Sequence, residues 1–181
     1  MIYVFLADGF EEIEALTAVD IMRRAGIEAC TVGIGGKVVK GSHGIEVTAD
    51  LCECDVFLDG KCTGVVLPGG LPGTTNLEAS ETVLNSIGYC SKNGKMIAAI
   101  CAAPSILGHL GILKGKRAVC YDGYEAELTG ALVSREAVIT DRNIITACGA
   151  GASIRFAFEI VKYLCGGEIA HKLECSMLCD R

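Results

Sequence analysis

Apolar residues along the chain fall into short unbroken runs separated by segments with helical spacing. Residues 2–7, 29–34, 65–67, 96–100 and 118–120 are continuous apolar runs, the pattern of strands covered on both faces. Between the first two, residues 11–25 place Ala15, Ala18, Val19, Met22 and Ala25 on one helical face, with Gly26 positioned to end the helix. A second helix is predicted over 80–93, before Gly94, and a third from Pro104, since proline suits a first helical turn. A later helix carries Ile154, Ala157, Phe158, Val161, Leu164 and Cys165 at helical spacing. Residues 37–47 read as a small hairpin around Gly41 and Gly44, and residues 137–147 as two strands turned at 141–143. Strands alternating with helices imply an α/β fold with a mostly parallel sheet and helices on both faces.

Composition narrows the function. The chain has 181 residues, 51% of them hydrophobic, with 23 Gly and only 3 Pro. That suits one compact domain with tight strand-to-helix turns and excludes a disordered chain. A net charge of −6 argues against general binding to nucleic acid or anionic membranes, which needs basic surface. The apolar start lacks a basic flank and soon meets Asp8, Glu11, Glu12 and Glu14, unlike a signal peptide, so a cytoplasmic protein is expected. The 11 cysteines are then expected to be thiols. Cys52-x-Cys54 with Cys62, and Cys175-x-x-x-Cys179 on an expected C-terminal helix, lack the two paired arms of a zinc site, and no metal or other cofactor is called for.

Three loops at strand carboxyl ends carry the chemistry, where open α/β sheets bind ligands. They span residues 7–14, 67–73 and 98–105. In the third, a strand runs into a helix with Cys101 flanked by Ala102 and Ala103. A thiol there would feel the helix dipole and nearby N–H groups, which lower a cysteine pKa. This resembles the strand–nucleophile–helix turn of α/β hydrolases with Cys in place of Ser. The competing reading is a cysteine that only ends a buried strand. Gly69 and Gly70 offer close backbone approach and an oxyanion-binding N–H, or an ordinary glycine turn. Gly149-Ala150-Gly151 offers another close approach. Glu11, Glu12 and Glu14 read first as a solvated helical turn. Tyr121 follows a strand and can line a pocket, Cys148 is a candidate resolving thiol, and His109 reads as a helix residue rather than a base.

Taken together, Ala7-x-Gly9-x-Glu11-Glu12-x-Glu14, Val19-Asp20-x-Met22-Arg23-Arg24-Ala25-Gly26, Val65-Val66-Leu67-Pro68-Gly69-Gly70, Ala98-Ala99-Ile100-Cys101-Ala102-x-Pro104 and Gly149-x-Gly151 resemble the ThiJ/PfpI superfamily, in its Parkinsonism-associated branch of deglycase and glyoxalase-like proteins. The resemblance implies a single flavodoxin-like domain over 1–181 and a homodimer through the first helix. It assigns Cys101 as nucleophile, Glu14 as its protonated partner, and the N–H groups of Gly70 and Ala102 as oxyanion donors. Ala102 stands where proteases of the superfamily carry a histidine, so a peptidase triad is not expected. Tyr121, Cys148 and His43 replace a histidine and two arginines of the branch, while Arg24 is retained as a pocket candidate. The implied activity is glyoxalase or deglycase chemistry on small 2-oxoaldehydes or their adducts, without glutathione or metal. The alternatives are a redox sensor or chaperone using the same cysteine, and a member that has lost activity. For the dimer, Ile13, Leu16 and Ile21 lie outside the first helix's core face and call for a second covered surface.

Overall fold

A computed structural model describes residues 1–179. In chain order the elements are β1 (Ile2–Leu6), α1 (Glu12–Arg24), β2 (Ala29–Gly33), β3 (Val38–Lys40), β4 (Glu46–Thr48), β5 (Leu51–Cys52), β6 (Gly64–Leu67), α2 (Gly73–Ala79), α3 (Glu81–Lys92), β7 (Met96–Ile100), α4 (Pro104–His109), β8 (Arg117–Ala118), β9 (Leu132–Val133), β10 (Val138–Asp141), β11 (Ile144–Ala147), α5 (Ser153–Cys165) and α6 (Gly167–Ser176). The main sheet has the order β10-β11-β7-β6-β1-β2-β5. All its pairings are parallel except β10 with β11. From β1 the chain steps to β2 on one side and later returns to β6 on the other. The loops after β1 and β6 therefore diverge at a topological switch point, opening a crevice at the carboxyl end of the sheet.

The continuous apolar runs are explained by two covered faces. Ile2, Val4 and Leu6 of β1, with Met96, Ala98 and Ile100 of β7, join a core under α1, α5 and α6. The alternate residues, Tyr3 and Phe5 with Ile97 and Ala99, face α3 and α4. The period of two along each strand thus divides its side chains between two cores. Helix α3 is capped by the preceding Ser80, whose hydroxyl accepts from the Val83 N–H at 3.4 Å.

Two expectations about secondary structure fail. Residues 118–120 are buried but do not enter the main sheet, because β11 already has β7 and β10 on its two edges. Only Arg117–Ala118 pairs, with Leu132–Val133 in a separate ladder, and the Val119 N–H donates to Thr146 Oγ1 instead. The predicted C-terminal helix ends at Ser176, so Cys179 lies past it rather than one turn beyond Cys175. Packing also corrects the account of α1. Ile21 is only 1% exposed, because α1 packs against α5 as well as the sheet, leaving Ile13 exposed and Leu16 half-buried. Among the described residues, no helix is long and apolar enough to cross a membrane.

Candidate active site at the β1, β6 and β7 loops

The three loops interlock through backbone. Glu11 N–H donates to the Gly69 carbonyl at 2.9 Å, and Gly70 sits so close to the first loop that a Cβ would lie 2.4 Å from the Gly9 oxygen. Gly70 also has φ +88°, a conformation that favours glycine. At Gly69 a Cβ would lie 2.6 Å from Cys101 Cβ and 2.9 Å from Glu14 Oε2. Both glycines are therefore fixed by contact, and the ordinary-turn reading does not account for them.

Cys101 occupies the bend between β7 and α4 with φ +63°, a left-handed conformation rare for a residue with a side chain. It is clamped from both sides: its N–H donates to Ala147 O at 2.9 Å, and its carbonyl accepts from Tyr121 N–H at 2.8 Å. Such outside bonds hold a backbone strain that the residue would otherwise relax. The bend leaves the thiol half-buried over the crevice, against the Glu14 carboxyl and below the N–H groups of Ala102 and Gly70, which donate to Sγ. Sequence reasoning placed Cys101, Glu14, Gly69, Gly70 and Ala102 together, and the structure brings those five into contact.

The electrostatics differ from the expected dipole effect. Helix α4 has six residues and starts three positions after Cys101, so its dipole is a minor influence. Burial, reinforced by the adjacent Glu14 charge and hydrogen bond, pushes the Cys101 thiol up to about 12, against the pull of the Ala102 and Gly70 N–H groups. Glu14 is 1% exposed, and burial pushes its carboxyl up to about 7 against hydrogen bonds from Gly69 N–H and Cys101. The two groups share protons, so these are steps of a pair. The first proton leaves near neutrality, and the second is held far more tightly because it must leave beside a charge already present. Between the steps one proton remains, and hydrogen bonding favours Glu14 as its holder. Sulfur already has two N–H donors, whereas Glu14 Oε2 accepts from Gly69 N–H at 2.7 Å and the buried Oε1 has no partner. A protonated Glu14 donating to a thiolate satisfies both groups.

Glu12 was missed. Rather than a solvated turn, the acidic cluster has Glu12 5% exposed and Glu11 partly covered. Glu12 grips the β3–β4 hairpin: Oε1 accepts from His43 N–H at 2.8 Å and Ile45 N–H at 3.4 Å, and Oε2 lies 3.0 Å from His43 Nδ1. Burial alone would raise its pKa, but these bonds pull it down to about 2. The same contact raises His43. Glu11, Glu12 and His43 are the one cluster among the described residues whose donor atoms lie close enough to share a cation, within 4.8 Å of one another. A helical wheel could have found both acids, since Glu14, Ala18 and Met22, like Glu12, Ala15 and Val19, share core-facing rows.

The outer pocket candidates separate. Tyr121 is half-exposed beside the Cys101 backbone, with its ring 3.2 Å from where a Gly149 Cβ would stand. Cys148 follows the Ala147 carbonyl that holds Cys101 and borders a recess with Cys120, Asp122, Ser134 and Arg135. Arg24 does not belong to the site. It lies ten positions beyond Glu14, ~15 Å along the helix, and is exposed and paired with Asp20 at 2.6 Å. His109 is held between Glu78 and Glu127, at 2.5 and 2.7 Å, at the end of α4.

A mostly parallel sheet covered by helices on both faces, with a cysteine on the bend above its carboxyl end, defines a flavodoxin-like α/β protein. Residues 1–163 match the DJ-1/PfpI family, and the chain belongs to that family. It is 36% identical over 178 residues to protein dj-1beta of Drosophila melanogaster, covering 97% of this chain and 95% of that one. It is 30% identical over 166 residues to the glutathione-independent glyoxalase DJR-1.2 of Caenorhabditis elegans, covering 90% and 87%. The structure of oxidized Toxoplasma gondii DJ-1 superimposes with a TM-score of 0.93 at 30% identity, covering 98% of this chain and 97% of the other.

Proposed function

We propose that the protein converts small 2-oxoaldehydes, or their early adducts with amines, using Cys101 and Glu14 as the reacting pair. The observation that carries this reading is the contact between the Cys101 sulfur and the buried Glu14 carboxyl, beneath the Gly70 and Ala102 N–H groups. The thiolate adds to the aldehyde carbon, and the carbonyl oxygen takes the Glu14 proton to give a hemithioacetal. As charge leaves sulfur, the two N–H groups are released to meet the developing oxyanion. Glu14 carboxylate then removes the hydrogen on the former aldehyde carbon and returns a proton to the adjacent carbon, while the hydroxyl proton of the first carbon passes to the neighbouring oxygen, producing a 2-hydroxy thioester. Water displaces the thiol and a 2-hydroxy acid leaves. One carbon is oxidised and its neighbour reduced, so the scheme needs neither glutathione nor an external redox partner. With methylglyoxal, acid quenching during turnover should trap a covalent adduct on the Cys101 peptide. Steady turnover with no such adduct at any quench time, and none in Glu14→Gln, would count against the scheme.

The second reading is an oxidative-stress sensor or redox-regulated chaperone using the same cysteine. It is favoured by the donors around sulfur, which would also hold a sulfinate. Intact mass after graded peroxide separates the two: oxygen addition confined to Cys101, with negligible aldehyde turnover, selects the sensor. The proposal includes a homodimer through α1, whose Ile13 is 55% exposed. A monomer mass by light scattering would contradict the dimer.

A further inference from the structure

We propose that Cys62 and Cys90, which precede β6 and β7 at the opposite end of the sheet from the Cys101 site, form a redox-responsive dithiol that closes to an intramolecular disulfide and pins the turn before β6 to α3. Both thiols are buried in the core under α3 and α4, at 1% and 0% exposure, and lie close enough for each to bias the other's ionisation. The two segments that carry them already touch. Tyr89, next to Cys90, donates its hydroxyl to the Asp59 carbonyl at 2.7 Å, and the Cys62 N–H donates to that same carbonyl at 3.1 Å. Closure therefore joins neighbours rather than distant groups, as disulfide geometry requires.

The two thiols are unequal. Contact with Cys90 and the Gly64 N–H favour the Cys62 thiolate against its burial, whereas the same contact disfavours ionisation of Cys90. Cys62 is thus the nucleophile and Cys90 the resolving thiol. Cover over Cys62 is thin, because Asp59, Gly60, Lys61 and Thr63 are all exposed. With a hydroperoxide as oxidant, Cys62 thiolate attacks one peroxide oxygen and the O–O bond breaks, giving a sulfenic acid and hydroxide. Cys90 sulfur then attacks Cys62 sulfur; the S–O bond breaks, and the departing hydroxide leaves as water with the Cys90 proton. The two thiols lose two electrons, and hydrogen peroxide is reduced to two waters.

Peptide mapping can read this directly. Trypsin releases residues 62–92 with these two cysteines and no others, and residues 96–114 with Cys101 alone. The folded protein is treated with graded hydrogen peroxide, then alkylated under denaturing conditions and digested. The expected 62–92 peptide is unalkylated, lighter by two hydrogens, and restored to two alkyl groups by prior dithiothreitol. In Cys90→Ala the peptide should instead gain oxygen at Cys62. The proposal is overturned if 62–92 keeps both alkyl groups after the Cys101 peptide has taken up oxygen, or if wild-type Cys62 gains oxygen without closing. The wild-type result stands even if the variant does not fold.

Discussion

Replacing Glu14 by Gln keeps the side-chain volume and an oxygen for the Gly69 N–H, but removes the proton that Glu14 shares with Cys101. In the wild type, the pair loses its first proton near the Glu14 value of about 7, and the hydrogen bonding described above puts the resulting charge on sulfur. Alkylation of Cys101 should therefore rise with a midpoint near 7. The Gln variant has one titrating group. Its thiolate loses the carboxyl donor while burial still opposes ionisation, so its midpoint should reach or exceed the ordinary thiol value of 9.0. At pH 7 the thiolate fraction then falls from roughly one half to roughly one in a hundred, a loss of about 50-fold in alkylation rate. The assay is the rate of iodoacetamide capture at Cys101 against pH, read on residues 96–114 by mass spectrometry. A variant midpoint at or below the wild-type value would refute the reasoning, because it would put the shared proton on sulfur and make Glu14 a suppressor of the thiolate.

Other consequences follow from the same contacts. Gly69→Ala would force a Cβ between Cys101 and Glu14, so aldehyde turnover should fall at least tenfold while far-UV circular dichroism stays unchanged; wild-type turnover would contradict the assigned packing. The folded Glu14–Cys101 pair gives up its first proton near 7, whereas the ordinary value for a Glu carboxyl is 4.5, so the pair's stability contribution is complete below pH 4.5 and is lost as pH rises through 7. The loss amounts to about 3 kcal/mol as an upper bound. Denaturant titrations should accordingly find Glu14→Gln more stable than wild type at pH 8 and nearly equal at pH 4.5, and equal stability at both values would contradict the shift. Glu12→Ala strands the His43 and Ile45 N–H groups and should cost about 2 kcal/mol. Hydrogen exchange should localise the loosening to the β3–β4 hairpin, and unchanged protection there would argue against the grip.

Much of the frame was legible because each strand of the main sheet's centre is covered on both faces, which leaves unbroken apolar runs at β1, β6 and β7. The Cys101 bend was legible for a related reason: small residues on both sides of a lone nucleophile leave few other uses for the turn. Glu14 was not separable from Glu11 and Glu12 by composition. Its assignment came from the family pattern, although its helical row with Ala18 and Met22 carried the signal. Residues 118–120 misled because burial was read as pairing, and no local pattern reports that β11 has both edges occupied. Helix α2 lacks an apolar period long enough to read, and the Glu12 grip and the Cys62–Cys90 contact join segments about 30 residues apart. Arg24 matched the family motif yet points to Asp20, so a motif position alone did not place it at the crevice.

Lactate formation from methylglyoxal, without glutathione or added metal, tests the Cys101–Glu14 pair most directly when wild type, Cys101→Ala and Glu14→Gln are compared. Intact mass must first show unoxidised wild-type Cys101. The account predicts turnover in the wild type and loss of measurable lactate in both variants. Undiminished turnover in Cys101→Ala would contradict it.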